Sequence, residues 1–145
     1  MSSELERAVA DLEALALRRG RPTRYEARPV LLLLGAALIA GDAGAAGAVR
    51  GRIQALEPPF LEAWEAAVRD ELSMAGTEHI RSVDPRYLDR PGYDFPYTIE
   101  ARERLEARLR AAEYLGVVLD GALAAGIRRA DALLESRRPQ GRDSA

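Results

Sequence analysis

Apolar residues recur every three or four positions over most of this chain, the period of helices that bury one face. Leu5, Ala8, Val9, Leu12, Leu15 and Ala16 share one side of a first helix. Ser3 is placed to cap it, Glu4 and Glu6 put acid in its first turn, and Arg18-Arg19 before Gly20 end it with the charge that a helix C-terminus favours. A second helix is predicted from Pro29, a residue suited to the first helical position, through Val30, Leu31, Leu34, Leu38 and Ile39. It is apolar all round, which puts it in the middle of a bundle. Gly41-Asp42 interrupts it. A third helix turns Ala46, Val49, Ile53 and Leu56 to one side and stops at Pro58-Pro59. The fourth opens on those prolines, with Phe60, Leu61, Trp64, Ala67, Val68, Leu72 and Ala75 inward and Glu62, Glu65, Arg69 and Asp70 outward. Gly76 reads as its end.

The strongest periodic signal is the last. Leu105, Leu109, Ala112, Gly116, Leu119, Leu123, Gly126, Ala130 and Leu133 alternate in steps of four and three, the heptad seam of a helix beginning near Thr98. Glu100 with Arg104, Arg102 with Glu106, and Glu106 with Arg110 are opposite charges one turn apart that support its outer surface. Unbroken to Ser136, such a helix would measure about 58 Å at ~1.5 Å per residue, so a kink or break is expected between Gly121 and Gly126. The predicted fold is all-α, a compact bundle of five to six helices with a long C-terminal helix. Residues 1–136 form its single domain, and the Pro- and Gly-containing stretch 137–145 is expected to be a mobile tail.

Leu34-Gly35, Leu38, Gly41-Asp42, Ala46 and Pro58 together make residues 31–58 resemble a single tetratricopeptide-type helical hairpin. The match requires a one-residue deletion, places Arg50 where a large apolar residue is usual, and does not recur along the chain. The resemblance implies two short helices packed closely through small residues.

Composition narrows the chemistry. The chain has 145 residues and a net charge of −2, a balance that names no partner class. Every basic residue is Arg, and Lys, Asn and Cys are absent, the pattern a GC-rich coding bias produces. Schiff-base lysines, thiolate nucleophiles, P-loop lysines and cysteine-ligated metals are thereby excluded. His79 is the single histidine, so any Ser-His-Asp or His-carboxylate site has to be built on it. Glu62 with Glu65 and Asp70 with Glu71 lack the Glu-x-x-His partners of a di-iron bundle. No cofactor and no metal is predicted. The charged opening after Met1 is no secretory signal, and the apolar part of Val30 to Val49 is too short to span a bilayer, so a cytoplasmic location without membrane contact is expected.

Thr77 to Tyr97 is read as a connection of about 21 residues, long enough to suggest function. It holds His79, Asp84, Tyr87, Asp89, Arg90, Tyr93, Asp94 and Tyr97. Asp84-Pro85 reads as a cap opening a short helical turn, and Pro91-Gly92 carries the residues of a type II turn. Tyr87, Phe95 and Tyr97 read first as rings that pin the segment to the bundle, and Trp64 as core.

The favoured function is a non-enzymatic protein–protein interaction domain, such as an adaptor, an accessory subunit or a small chaperone-like domain. Its predicted contacts are Tyr87, Asp89, Arg90, Tyr93, Asp94, Tyr97, Leu105 and Leu109, with homodimerisation through surplus seam as one form of partnering. A second reading is a ligand or enzyme site in the 77–97 segment, with His79 as general base and Asp84, Asp89 or Asp94 orienting it. A third is contact with an anionic partner through Arg18, Arg19, Arg21, Arg24 and Arg28, although no nucleic-acid signature motif is present.

Overall fold

The computed structural model describes residues 1–138, and among these every regular element is an α-helix. In chain order they are α1 (Ser3–Leu17), α2 (Arg24–Ile39), α3 (Ala43–Gln54), α4 (Pro58–Ser82), α5 (Pro85–Leu88), α6 (Phe95–Tyr114) and α7 (Gly121–Arg137). The all-α class is as predicted, but there are seven helices rather than five or six. The long C-terminal helix is two helices, and the expected 77–97 connection shrinks to residues 83–94, with α5 inside it, because α4 continues to Ser82 and α6 starts at Phe95. Of the predicted tail, Arg137 closes α7 and residues 139–145 lie outside the described residues.

Short capping contacts decide the boundaries. Ser2, not Ser3, caps α1, its Oγ accepting from the Leu5 N–H at 3.1 Å. At the other end Arg19 adopts the left-handed conformation (φ 58°), and the Gly20 N–H reaches back to the Leu15 carbonyl at 2.9 Å. A Cβ on Gly20 would lie 2.2 Å from Leu15 Cδ1, so any larger residue there would have to displace the end of that side chain. α2 begins five residues before Pro29. The Thr23 hydroxyl accepts from the Tyr25 N–H, and the Glu26 carboxylate accepts from the Thr23 N–H at 2.7 Å, a reciprocal box that outweighs the proline's preference for a helix start. Pro29 therefore sits inside the helix, on an exposed side.

α2 is the central element. It buries Ala27, Val30, Leu31, Leu34 and Gly35 and packs against α1, α3, α4 and α6. Each fully buried Val or Leu there contributes roughly 1.5–3 kcal/mol of transfer free energy. Its closest neighbour is α6: a Cβ on Gly35 would stand 2.0 Å from the Ala107 carbonyl oxygen. α3 follows across Gly41 (φ 79°) and the capping Asp42, and Arg52 ties it to α1 through Glu6 at 2.6 Å and through Glu13.

α4 does not stop at Gly76. That glycine is buried mid-helix, where a Cβ would come within 3.0 Å of Leu123 and Ile127 on α7, so its missing side chain lets two helices meet. The C-terminal break falls at residues 115–120, ahead of the expected 121–126. Gly116 (φ 79°) ends α6, with the Val117 N–H on the Ala112 carbonyl at 2.9 Å, and Asp120 caps α7 through the Leu123 N–H at 3.0 Å. The heptad seam faces inward. Leu105, Ala112, Gly126 and Ala130 are buried, and Leu109 and Leu119 pack on the core.

The apolar interior has two parts. The main one runs from Leu5, Leu12, Leu31 and Leu34 to Trp64, Leu72 and Ala111. A smaller one, beside α7, gathers Val83, Leu88, Ala130 and Leu134 with Ile80, Tyr93, Phe95 and Leu133. No described helix is long and apolar enough to cross a membrane.

Candidate functional site

The tyrosine-bearing segment is organised from within. Asp84 caps α5 through the Arg86 N–H at 2.9 Å, and Leu88 drops into the smaller core. The chain reverses at Pro91-Gly92, with Gly92 at φ 81° and the Tyr93 N–H on the Arg90 carbonyl at 3.3 Å. Asp94 then caps α6 through the Tyr97 N–H at 3.0 Å. Tyr93 is the ring that pins the segment. Its hydroxyl donates to the Ser82 carbonyl at 2.7 Å and accepts from Thr98 Oγ1 at 2.9 Å, and the ring meets Phe95 edge to face at 4.8 Å.

Tyr87 and Tyr97 do the opposite of pinning. They are 46 % and 63 % exposed, large for aromatic rings on a segment so well anchored. Arg90 and Arg86 stand 5.3 and 5.9 Å from the Tyr87 ring centre, within cation–π range. Of the predicted partner contacts, Tyr87, Arg90 and Tyr97 are on the surface together with Asp89, which pairs with Arg137 at 2.9 Å. Tyr93 and Asp94 serve the segment's own structure. Leu105 is buried in the interior and Leu109 is partly buried against the core.

His79 is held by a different set of contacts, among α4, α6 and α7. It is 6 % exposed, and its Nε2 sits 2.7 Å from Asp131 Oδ1 on α7. Arg102 of α6 grips the same carboxylate with two nitrogens, Nε at 2.8 Å and a terminal nitrogen at 2.9 Å, and reaches Glu106 at 3.1 Å. Burial holds the His79 pKa below its ordinary value, so the ring is neutral at neutral pH and its Nε2–H donates to the carboxylate. Burial pushes Asp131 up, but the hydrogen bonds from Arg102 and His79 outweigh it and keep the carboxyl below its usual range. Asp131, which sequence spacing does not connect to His79, is its orienting acid. Asp84 and Asp89 are committed to Arg86 and Arg137, and Asp94 to its cap. The arrangement joins α4, α6 and α7, with the histidine's carboxylate-facing nitrogen already spent. A groove of about 380 Å³ between α6 and α7 is lined by Arg102, Glu106 and Asp131 but not by His79.

Glu71 is a buried carboxylate whose partners sequence pattern does not indicate. It is 1 % exposed, accepts from Arg28 Nε at 3.0 Å and lies 3.1 Å from Arg108 Nε, which is not aligned to hydrogen-bond it. The hydrogen bond raises the Arg28 pKa, whereas burial lowers that of Arg108. Glu71 thus joins α4 to both α2 and α6. Among the described residues no group of three metal-ligating side chains occurs.

The basic cluster is divided. Arg28 is engaged by Glu71, Arg24 hydrogen-bonds the Tyr25 hydroxyl at 2.9 Å and lies 4.6 Å from its ring centre, and Arg18, Arg19 and Arg21 pair with no carboxylate among the described residues. Comparison with protein families, with characterised proteins and with solved structures finds no match to this chain.

Proposed function

We propose that this domain binds another protein, without catalysing a reaction, through the surface of α5 and the start of α6. The reading is carried by one observation: a segment anchored by Leu88, Tyr93 and two aspartate caps holds the Tyr87 and Tyr97 rings in solvent. Tyrosine and arginine are the residues that interface centres concentrate, and a rigid display lowers the ordering cost of binding. The use of His79 in the Asp131–Arg102 network supports a binding role over a catalytic one.

The test is site-specific photocrosslinking in native-host cells, with a photoreactive phenylalanine analogue replacing Tyr87, Tyr97 or, as a control, exposed Glu103. A discrete adduct from positions 87 and 97, lost on Arg90→Glu and missing from the control, is expected. Absence of an adduct at both tyrosines, or an equal yield from position 103, would overturn the assignment.

A further inference from the structure

α7 is joined to the bundle mainly along one seam. Its principal partner is α4, and the contact is made mostly of small and aliphatic residues: Leu123 and Ile127 close over Gly76, and Ile80 closes over Gly126. Among the described residues one polar bond crosses from α4 to α7, His79 Nε2 to Asp131 at 2.7 Å. Arg102 of α6 holds the same carboxylate, and Arg137 near the end of α7 pairs with Asp89.

The charges around that bond balance only while the ring is neutral. α7 contributes Asp131, and α6 contributes Arg102 and Glu106, with Glu106 shared between Arg102 and Arg110 at 3.1 Å each. From α2, Arg28 is taken by Glu71, about two turns earlier on α4. Two acids therefore already meet two arginines. A proton on His79 adds a third positive charge with no third acid to receive it. Of the two ring nitrogens only Nε2 is hydrogen-bonded among the described residues, so the new Nδ1–H lacks a protein acceptor in a buried position. Parting α7 from α4 exposes the ring and removes both costs. Acid then favours the parted state, by up to ~10-fold in the opening equilibrium per pH unit for one proton.

We propose that the His79–Asp131–Arg102 contact is an acid-sensitive latch: protonation of His79 releases α7 from α4 and withdraws support from the tyrosine surface. The second half rests on the binding role given above to Tyr87 and Tyr97. Ala130 and Leu134 of α7 share the smaller core with Leu88, Tyr93 and Phe95, the side chains that hold α5 and the start of α6 in place. Release of α7 uncovers those anchors. Burial holds the ring's pKa below 6.5, the direction this requires: the latch is closed above that value and loosens as the pH falls below it.

The chain has no cysteine, so single introduced thiols report opening without background. Ala130→Cys marks α7, Leu88→Cys the tyrosine segment and Val49→Cys the main core, all at buried positions. Labelling of the full chain at about pH 7.5 and about pH 5.5 is expressed relative to an unstructured peptide carrying the same thiol, which removes the thiol's own titration. The ratio is expected to rise several-fold on acidification at positions 130 and 88 together, and to remain lower at position 49 at both pH values. His79→Gln keeps an N–H for Asp131 but takes up no proton, and is expected to abolish the rise. Because the imidazole is unique, its proton NMR titration in the wild type reads the closed state independently of any variant, and is expected below the ordinary histidine value. The latch is overturned by labelling at position 130 that ignores pH, by a rise that survives His79→Gln, by position 49 opening as readily as 130, or by His79 titrating at its ordinary pKa. A rise at 130 without one at 88 would overturn the coupling to the tyrosine surface. No binding partner enters these measurements, so failure of the latch and failure of the binding assignment are separable.

Discussion

Gly35→Ala is the sharpest perturbation of this fold. The added methyl would lie 2.0, 2.4 and 2.7 Å from the oxygen, carbon and Cα of Ala107, short of the 3.4 Å of ordinary contact by about 1.4 Å at the worst point. All three are backbone atoms of a helix interior, so no rotamer change relieves the overlap. α2 and α6 must separate by something over an ångström. Their shared apolar surface, including Leu31, Leu34, Ala111 and Ala112, then loosens with them. Overpacking of an ordinary core costs about 1–3 kcal/mol, and a rigid backbone obstacle belongs at or above the top of that range. Helix propensity works the other way, since alanine is favoured over glycine by ~1 kcal/mol. A net loss of about 2–3 kcal/mol is expected, lowering the melting temperature by roughly 10 °C. Gly51→Ala is the internal control: it is also helical, its Cβ meets nothing within 4 Å, and it should gain most of that ~1 kcal/mol. Urea titrations followed by circular dichroism measure both. A Gly35→Ala protein as stable as the wild type would refute the close α2–α6 approach.

Two further expectations concern the buried charges. Glu71→Gln leaves Arg28 and Arg108 facing each other without a counter-charge. Breaking a buried pair costs ~3–5 kcal/mol, and the 42 % exposure of the Arg28 side chain reduces this to about 2–3 kcal/mol by chemical denaturation. A change below ~0.5 kcal/mol would mean that the carboxylate is dispensable. His79 and Asp131 contribute to the acid side of the stability profile, Asp131 together with Glu13 and Asp84, which are also held below their ordinary values. His79 and Asp131 have folded pKa values below their ordinary 6.5 and 3.8, so each contributes stability that is complete above its ordinary value and lost as the pH falls toward its folded one. Stability should therefore begin to drop below about pH 6.5 through His79 and again below about pH 4 through Asp131. His79→Gln should flatten the first step and, by disturbing one of the hydrogen bonds that hold Asp131 down, shrink the second; an unchanged profile between pH 7 and 5 would contradict the neutral, buried histidine.

Much of this architecture is written in local pattern. The face of α1, the course of α3, the Asp84-Pro85 cap and the Pro91-Gly92 reversal all follow from neighbours within four residues, the range over which capping and periodicity operate. The misplaced boundaries share a different cause. Gly76 resembles a stop, but its use is to admit α7, whose Leu123 and Ile127 lie nearly fifty residues on. Pro29 resembles a start, yet the Thr23–Glu26 pair ahead of it was present as a readable capping signal. The His79–Asp131 and Arg28–Glu71 bonds link positions 52 and 43 residues apart, and no spacing rule relates them until the helices are docked. For the same reason Tyr87 and Tyr97 read as anchors: sequence shows that aromatic rings are available, but only packing shows that Tyr93 has taken the anchoring place.

The division of the interior has a consequence for how the molecule comes apart. α7, whose principal packing is on α4, completes the smaller core with Ala130 and Leu134, and that core also supports α5 and the start of α6. Such an annex can open at a free-energy cost well below that of global unfolding, while α1–α4 remain closed around α2. Amides of α7 and of residues 84–97 should then exchange with solvent as one cooperative unit, ahead of those in α2. The tyrosine surface would share the fate of α7 rather than that of the bundle, so a truncation or ligand acting on the last helix could switch recognition off in a protein that still looks folded.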